Sequence, residues 1–254
     1  MFTRIITTAA LLMSCFTYGA QAQIVKIPDP NFKQALINKG FDLNGDGEIQ
    51  LSEAQKVTVL YVDNAGITSL EGIKSFSNVE DLGIYQNKTR MVDVSGMTKL
   101  KYIYGFDNVI EQLNVKGCVN LLDISCHKNK LKTIDVSGLK KLQVLSIGFN
   151  EITRLDVSNL TELVELHAHT NELRELKFDN CPALKDIWIR RNQIAHHMDL
   201  TKIPGLRFFR AADNLIPSVD IRGLAELETF DCDNCRLTSI NLSGTVKLKE
   251  LDWY

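Results

Sequence analysis

The sequence has little of what marks a nucleic-acid-binding, membrane-spanning or proline-rich chain. Its 29 lysines and arginines nearly balance 31 aspartates and glutamates, which leaves a formal net charge of −2 and no basic surplus for nucleic acid. Only 5 of the 254 residues are proline, so the chain is not a proline-rich linker. Beyond the extreme N-terminus, no apolar run approaches the roughly 20 residues that a transmembrane helix needs. We therefore expect neither a nucleic-acid partner nor a transmembrane segment.

The N-terminal residues have the three parts of a secretory signal peptide. Arg4 supplies the positive charge, residues 5–16 form the apolar part, and Ala20-Gln21-Ala22 is a small-residue cleavage site. We expect residues 1–22 to be removed, so that the mature chain begins near Gln23. A lipidation motif that ends at Cys15 is the alternative interpretation. Both predict an exported protein, either secreted or held at the outer cell surface or in the periplasm.

Most of the remaining chain repeats itself every 21 residues. Numbering from the leucine that opens each copy, position 1 recurs with that spacing, apart from one extra residue between Leu184 and Leu206. Position 9 is asparagine in seven copies: Asn87, Asn108, Asn129, Asn150, Asn171, Asn192 and Asn214. The shared motif L-x-x-L-x-L-x-x-N-x-L is the leucine-rich-repeat pattern.

The repeat predicts an α/β leucine-rich-repeat solenoid over residues 57–254, with about nine coils and a partial tenth. Positions 1, 4, 6, 11, 14, 16 and 19 are apolar because a single coil cannot bury its own apolar face and has to stack on its neighbours. The asparagine is expected to bond backbone groups of the adjacent coil. The last strand would leave a free edge; either Trp253 covers it or the sequence continues.

Few cysteines are present, and their positions do not form a disulfide framework. Five remain beyond the signal peptide, which is an odd number. Because most stand where other copies carry apolar residues, we expect small buried side chains. The C-x-x-C spacing at the end of the set also occurs in redox and zinc sites, but a second ligand pair is missing. The five are Cys118, Cys126, Cys181, Cys232 and Cys235.

Residues 23–56 differ from the repeats and predict a small helical N-terminal cap. Asp29 before Pro30 is a helix start. The segment D-L-N-G-D-G-E-I-Q-L-S-E, residues 42–53, matches an EF-hand calcium loop, with Gly47 at the sharp turn and Gln50 acting through water. We expect one weak Ca²⁺ site that stabilises the cap, a signalling switch being the alternative. Its ligands would be Asp42, Asn44, Asp46, the Glu48 carbonyl and Glu53.

The predicted partner-binding surface is the concave side of the solenoid. Strands alternate their side chains, so positions 3, 5 and 7 of each coil face the concavity. Exposed tyrosine, tryptophan and arginine anchor protein interfaces, and aromatic rings also stack on sugars. We expect Trp188 and Arg210 to matter most. The predicted set is an aromatic area, Tyr85, Tyr102, Tyr104 and Phe106, followed by a mixed centre, His127, His167, His169, Trp188, Arg190, Phe208 and Arg210, with Asp231, Asp233 and Asp252 ending the surface.

Two further groups of residues have simpler interpretations. His127, His167 and His169 suggest a metal site, but two coils separate the first from the others, about 9.6 Å at strand spacing, so surface histidines are favoured. On the convex side, aspartates recur before apolar residues and are expected to cap turns. They are Asp93, Asp135, Asp156, Asp199 and Asp220.

These features together resemble a known group of proteins. The signal peptide, the I-P-D-P-N-F start, the calcium loop and the L-D-V-S coils are similar to those of exported leucine-rich-repeat proteins of Bacteroidetes-type bacteria, related in pattern to internalins. The resemblance covers nearly all of the mature chain. It implies a surface or secreted protein that binds host proteins, matrix components or other cells. The C-terminal sorting or anchoring domain of many relatives is not found.

We therefore expect a non-catalytic exported binding or adhesion module that recognises an extracellular protein or glycan. A structural or self-associating envelope protein that uses its free C-terminal edge is the alternative. A hydrolase or other enzyme is disfavoured, because no nucleophile elbow, phosphate loop or Ser-His-Asp order occurs and the paired aspartates lie on an open strand.

Overall fold

The computed structural model describes residues 23–254; the predicted signal peptide and the alternative lipid site at Cys15 lie outside the described residues. Two helices come first, and sixteen short strands follow. In chain order the elements are α1 (Pro30–Asn38), α2 (Leu51–Ala54), β1 (Val59–Tyr61), β2 (Asp81–Gly83), β3 (Met91–Asp93), β4 (Tyr102–Tyr104), β5 (Gln112–Asn114), β6 (Asp123–Ser125), β7 (Val144–Ser146), β8 (Arg154–Asp156), β9 (Glu165–His167), β10 (Glu175–Lys177), β11 (Asp186–Trp188), β12 (Met198–Asp199), β13 (Phe208–Arg210), β14 (Val219–Asp220), β15 (Thr229–Asp231) and β16 (Glu250–Asp252).

The chain forms a parallel β-solenoid of about nine turns, which confirms the predicted fold. Ten strands make one parallel sheet in the order β1-β2-β4-β6-β7-β9-β11-β13-β15-β16. Each pairing keeps equivalent positions of adjacent coils in register, as in Val144↔Glu165 and Leu145↔Leu166. The 21-residue period therefore becomes a set of straight columns, and each sequence position lies beside the same position of the next coil. A 3₁₀ turn, Ile73–Ser75, lies between β1 and β2.

A single continuous core runs through the stack. In the coil that opens at Leu142, all seven apolar positions are buried, from Leu142 to Leu160. The predicted asparagine ladder is confirmed. Asn150 is a typical member: its Oδ1 accepts from the backbone N of Leu131 at 2.9 Å, and its Nδ2 donates to the carbonyls of Cys126 and Ile147 at 3.1 and 3.0 Å. Each asparagine thus satisfies buried backbone groups of two coils, a requirement that apolar residues cannot meet.

The residue before each ladder asparagine has left-handed backbone geometry. Its φ lies between 49° and 57° in every coil from Asn64 to Asn234. In none of these coils is it glycine, although L residues with side chains rarely adopt this conformation. At Phe149 it holds an aromatic side chain that is 46% exposed. The left-handed turn lets the chain leave the strand and brings the asparagine inward.

The cap packs on the first coil through Asp29, the predicted helix cap. Its Oδ1 accepts from the backbone N of Asn31 and Phe32 at 2.9 and 3.0 Å. Its Oδ2 accepts from Thr68 N, Thr68 Oγ1 and Ser69 N at 2.8, 2.7 and 2.9 Å. One buried carboxylate therefore caps α1 and joins it to the coil that follows β1.

The loop over residues 42–53 pairs with the chain that precedes it. Ile24 forms an antiparallel bridge with Gln50. The backbone N of Val25 donates to the Ile49 carbonyl at 2.8 Å, and that of Leu51 donates to the Gln23 carbonyl at 2.7 Å. Ile49 is fully buried. The extended N-terminal segment thus supplies the strand partner for a loop that has no second copy in the sequence.

The convex side carries three separate two-stranded sheets, β3 with β5, β8 with β10 and β12 with β14. Its aspartates cap turns as predicted. For example, Asp156 Oδ1 accepts from Ser158 N at 2.9 Å, and Asp135 Oδ1 accepts from Ser137 N at the same distance. Within residues 23–254, no helix has the length and apolar character to cross a membrane.

The five cysteines within residues 23–254 are free, and four of them are buried, as predicted. Burial raises the pKa of Cys126 to about 12. Cys235 stands in the asparagine column, and its Sγ contacts the Ala211 carbonyl at 3.4 Å, across the same 24-residue separation as Asn171 Nδ2 and the Ile147 carbonyl. Cys235 therefore makes one of the contacts that a ladder asparagine makes at the equivalent position.

Candidate functional site

All eleven predicted binding residues lie on the concave sheet or directly after its strands, and they are more buried than predicted. Every one of them is half-buried. The reason is the column geometry: side chains at equivalent positions of adjacent coils lie about 4.8 Å apart and cover one another. The surface is therefore a set of packed columns, and a ligand would meet the edges and faces of partly ordered rings.

The first column consists of three parallel rings at position 7. Tyr85 stacks on Phe106 with centroids 4.7 Å apart and planes 7° apart. Phe106 stacks on His127 at 4.9 Å and 3°. His127 therefore belongs to this aromatic column and not to the mixed centre where the sequence analysis placed it. We call Tyr85, Phe106 and His127 the stacked column.

The stacked column ends at Gly148. Because Gly148 has no side chain, a ring from the next coil occupies the space above it. A Cβ built on Gly148 would lie 2.6–2.9 Å from three atoms of the His169 ring. In this position His169 packs against Trp188, with centroids 3.9 Å apart, and meets the edge of Phe149 at 5.0 Å. His167 also contacts Trp188, in an edge-to-face arrangement with centroids 5.8 Å apart and planes 76° apart. We call His167, His169, Trp188, Phe149 and Arg190 the central cluster.

The central cluster contains nitrogen atoms that are buried without a hydrogen-bond partner. This is unusual, because buried polar atoms are nearly always paired. Desolvation is also the largest cause that lowers the pKa of His127 and of His169. On the concave side the buried atoms without a hydrogen bond are His127 Nδ1, His167 Nε2, Trp188 Nε1 and Arg190 Nε. Of these, His167 Nε2 lies 3.7 Å from Asp186 Oδ2 and Arg190 Nε lies 3.9 Å from Asp231 Oδ2, whereas His127 Nδ1 and Trp188 Nε1 have no carboxylate within hydrogen-bonding reach among residues 23–254.

The charge of Arg210 is already paired within the chain, and its guanidinium lies beside the Phe208 ring. Arg210 Nη1 donates to both carboxylate oxygens of Asp186 at 3.0 and 3.1 Å. Its guanidinium also lies 4.9 Å from the centre of the Phe208 ring, and that of Arg207 lies 5.0 Å from the same centre. Arg210 is thus less free to bind a ligand than the sequence suggested, because its main charge partner is its own Asp186.

Tyrosines dominate the N-terminal coils, and a second glycine positions one of them. A Cβ on Gly83 would lie 1.9 Å from Cδ1 of Tyr61, so the Tyr61 ring lies across Gly83. This brings Tyr61 to 6.3 Å from Tyr104, with planes 15° apart, and Tyr104 lies 6.3 Å from Tyr102 at 7°. Sequence reasoning did not assign these roles to Tyr61, Gly83 or Gly148. Glycine inside a strand pattern was the available signal, because it marks a close approach by another group.

The oxygen-bearing side chains of the cap loop mainly accept hydrogen bonds from the backbone of the loop itself. Asp42 Oδ2 accepts from Gly47 N at 2.9 Å, and Gly47 has the left-handed φ of 81° that a sharp turn needs. Glu53 is 5% exposed, and its carboxylate accepts from Leu43 N and Gln50 N at 2.8 and 2.9 Å. Carboxylate, amide and carbonyl oxygens are the donors that Ca²⁺ prefers.

The acidic groups of this loop are held apart by those backbone bonds. Across residues 23–254, no three His, Cys, Asp or Glu side chains converge in the manner of a metal cluster. That finding includes His127, His167 and His169, and also the Cys232-x-x-Cys235 pair. The oxygen donors of the loop fit Ca²⁺ in type and number. To bind the ion, the carboxylates would exchange their hydrogen bonds with backbone N–H groups for contacts with Ca²⁺.

A larger cleft lies on the opposite side of the solenoid. It has a volume of about 590 Å³ and is lined by the turns of three successive coils around Asp135, Asp156 and Lys177. The cleft beside Trp188, Phe149 and His169 is smaller, about 190 Å³, but it carries the aromatic and unpaired polar groups.

Comparison with models of known protein families gives no match, and comparison with curated proteins gives none. Among solved structures, the chain is similar to the functional domain of InlJ from Listeria monocytogenes, which includes a cysteine ladder, with a TM-score of 0.72 and 26% identity over 90% of this chain and 56% of that one. The chain thus spans little more than half the length of that relative. It is also similar in fold to YopM, a leucine-rich effector protein from Yersinia pestis (TM-score 0.58, 21% identity, 65% of this chain and 46% of that one), and to an internalin C2 of Listeria monocytogenes (0.50, 20%, 87% and 98%). These structural neighbours are internalin-like and other leucine-rich-repeat proteins, which supports the predicted fold and the internalin part of the resemblance.

Proposed function

We propose that this protein is a non-catalytic, exported binding module that recognises a partner protein through its concave face. The observation that carries the proposal is the set of buried, unpartnered nitrogen atoms in and beside the central cluster. Leaving a buried donor unpaired costs roughly 1–3 kcal/mol, and a ligand that supplies acceptors would recover it. Solenoid curvature provides the extended concave surface on which such proteins bind.

Trp188 is the expected anchor of the interface. Its ring is half-buried between His167 and His169, so little side-chain entropy is lost when a partner covers it. Its Nε1 has no acceptor in the chain. Tryptophan in a partly desolvated pocket is the residue type that most often dominates binding energy. Arg190 lies beside it, with Nε 3.9 Å from Asp231, too far for a hydrogen bond.

An array experiment tests this proposal. Residues 23–254 would be screened in millimolar calcium against arrays of purified extracellular proteins and of glycans. We expect a protein ligand whose affinity falls at least about tenfold with Trp188→Ala. Met91→Ala is the matched control, because Met91 is a 62% exposed apolar residue on the convex strand β3. Arg210→Ala is a poorer variant, because it would leave Asp186 without its ion pair.

Other outcomes would change the conclusion in defined ways. A glycan ligand that is lost with Trp188→Ala would keep the site and change the ligand class. Equal loss with Met91→Ala would contradict a concave site. If no ligand appears and sedimentation shows oligomers that grow with concentration, the self-associating alternative is favoured.

We propose that Ca²⁺ stabilises the cap in the same protein. Asp42, Asn44, Asp46, the Glu48 carbonyl and Glu53 would hold the ion, and neutralising their charge would stiffen the loop that pairs with residues 23–25. Calorimetric titration of residues 23–254 should give one site with a Kd on the order of 10⁻⁴ to 10⁻³ M. Glu53→Gln should abolish it, whereas Glu71→Gln, outside the loop, should not. Absence of any heat or thermal stabilisation at 10 mM (about ten times the weakest expected Kd) would contradict the site.

Export is the third part of the proposal and is supported by the residues that precede Gln23. Mass spectrometry of the protein from cell fractions checks it. A mature chain that begins at Gln23 supports cleavage after Ala22, and a diacylated chain that begins at Cys15 supports the lipid anchor. A full-length chain in the cytoplasm contradicts both.

A further inference from the structure

The carboxylates of the concave face differ in whether the chain itself supplies their cation. Towards the C-terminal half, Asp186 is paired with Arg210 at 3.0 Å, and Asp231 lies 3.9 Å from Arg190. In the N-terminal half, Asp81 and Asp123 form no ion pair with any residue in the described part of the chain. Within residues 23–254, Asp233 and Asp252 at the C-terminal end of the face also have no ion pair, whereas Asp81 and Asp123 lie among several tyrosine rings.

Two lysines of the three coils from Asp81 to Asp123, Lys101 and Lys128, are paired with other carboxylates. Lys101 Nζ donates to Glu80 Oε2 at 2.6 Å, and Lys128 Nζ lies 3.8 Å from Asp107 Oδ1. Asp123 accepts a hydrogen bond from Ser125 Oγ at 2.8 Å, which satisfies one oxygen but supplies no charge. Burial raises the pKa of the Asp123 carboxyl, and Glu165 raises it further. The protein thus keeps a partly desolvated carboxyl where its charge is disfavoured.

One tyrosine stands between these aspartates in their column, and two more lie in the next column. Tyr102 is in direct register with Asp81 on one side and Asp123 on the other. The two aspartates are therefore about 9.6 Å apart along the column, with Tyr102 between them. Nearly parallel to Tyr102 lie Tyr104 and then Tyr61, in the order fixed by Gly83. We call Tyr61, Asp81, Tyr102, Tyr104 and Asp123 the tyrosine patch.

Carboxylates flanking aromatic faces are suited to a cationic side chain. A lysine or arginine over a tyrosine ring gains roughly 0.5–2 kcal/mol from the ring, and charge-assisted hydrogen bonds to a carboxylate add to it. We propose that the tyrosine patch receives a lysine or arginine side chain from an extended segment of the partner protein. The inference rests on the proposed function and names the chemistry of part of its ligand. The stacked column, parallel to the patch two positions along each strand, would support the apolar part of the same segment.

A peptide titration tests the patch without knowledge of the partner. The probe is acetyl-Gly-Arg-Gly-Arg-Gly-amide, and its control carries citrulline, a neutral isostere, in place of arginine. Amide resonances of ¹⁵N-labelled residues 23–254 would be followed by NMR at low salt. We expect shifts centred on β2, β4 and β6, and binding at least about fivefold weaker for the citrulline peptide.

Two pairs of charge-neutralising variants separate a specific site from general attraction. Asp81→Asn/Asp123→Asn should weaken binding of the arginine peptide at least about fivefold. Asp135→Asn/Asp156→Asn removes the same charge from convex turns and should leave binding within about twofold, because these turns lie on the opposite side of the solenoid from the tyrosines and the equivalent Asn114 already fits such a turn. The Asp81→Asn/Asp123→Asn protein should also be as stable as the native protein or more so, whereas a structural role for these carboxyls predicts lower stability.

The inference fails if the arginine peptide produces no shifts, if both variant pairs weaken it equally, or if the citrulline peptide binds as well. Its failure is distinguishable from failure of the proposed function. A partner protein that is lost with Trp188→Ala but unaffected by Asp81→Asn/Asp123→Asn would retain concave binding and overturn the basic-residue inference. Specific arginine binding with no array partner would retain the patch alone.

Discussion

Replacement of Asp29 is the sharpest test of how the cap is attached to the solenoid. Burial alone raises the pKa of this carboxyl, but hydrogen bonds from Thr68, Phe32 and Ser69 outweigh it and lower the pKa to about 2, from an ordinary 3.8. Because the folded-state pKa is depressed, the stabilisation is present above about pH 4 and is lost as the pH falls towards 2. The residue is 6% exposed, so the shift corresponds to about 2 kcal/mol at neutral pH.

Asp29→Asn removes the charge and turns an NH₂ group towards backbone donors. Either the α1 amides or those of Thr68 and Ser69 then lose their acceptor. We expect a loss of about 3 kcal/mol, from the charge effect and from unpaired buried donors. Asp156→Asn is the matched control and should cost under about 0.5 kcal/mol. In the same column of turns, Asn114 already accepts from Lys116 N at 3.2 Å, so asparagine fits that turn.

The measurement is guanidinium unfolding in chelator at pH 7 and pH 2.5, combined with hydrogen exchange of the α1 amides. Exchange is needed because a cap can open before a solenoid unfolds. The difference between the native protein and Asp29→Asn should be clearly smaller at pH 2.5 than at pH 7, because most of the charge contribution is lost in acid. A variant that loses no more than Asp156→Asn at pH 7 would refute the assigned role of Asp29, and so would a difference that persists unchanged in acid.

The remaining predictions concern the ladder, the ring positions and the histidines. Asn150→Ala should cost about 3 kcal/mol in unfolding experiments because it leaves buried backbone groups unpaired, and a cost below 1 kcal/mol (under roughly one hydrogen bond) would contradict the ladder. Gly148→Ala should displace the His169 ring and shift the fluorescence of Trp188, with a stability change under about 1.5 kcal/mol because the ring can swing outwards; unchanged fluorescence would show that the ring does not occupy the site. The pKa of His127 and of His169 is depressed chiefly by desolvation, so their stabilisation is present above the unfolded value of about 6.5 and is lost as the pH falls below it. Stability measured from pH 7.5 to 5 should therefore decrease, and the decrease should shrink when both are replaced by glutamine.

The solenoid and its asparagine ladder could be predicted because a period fixes neighbours. Once the spacing is 21, each residue at position 4 lies beside another position 4, and a single coil such as Leu142–Leu160 defines the core of all coils. The helix start at Asp29 was equally local, since Pro30 follows it. The bonds from Thr68 and Ser69 to Asp29 were not predictable, because they depend on how the cap docks across 39 and 40 residues of chain.

On the concave surface, the 21-residue period was not sufficient to predict how the side chains are arranged. The 21-residue period predicted which side chains share a face. It did not predict that aromatic rings lie over Gly83 and Gly148, because packing against the neighbouring coil selects the side-chain rotamer. His127 was assigned to the wrong zone for this reason: its sequence position gives no indication that its ring is parallel to Phe106 within 3°.

The same limit applies to the ion pairs of the concave face, on which the proposed binding depends. Columns bring Lys101 beside Glu80 and Arg207 beside Glu228, pairs that a 21-residue shift makes obvious. Arg210, however, crosses diagonally to Asp186, 24 residues away, and ignores Asp231 in its own column. Whether a carboxylate has an ion-pair partner therefore depends on contacts between non-equivalent positions of different coils, which the sequence does not determine. The uncompensated charge of Asp81 and Asp123 follows only once Lys101 and Lys128 are seen to point elsewhere. A fold that could place a lysine in that column but tolerates two unpaired carboxyls beside tyrosines gives up stability there, and such a loss is expected where a surface is shaped for a ligand.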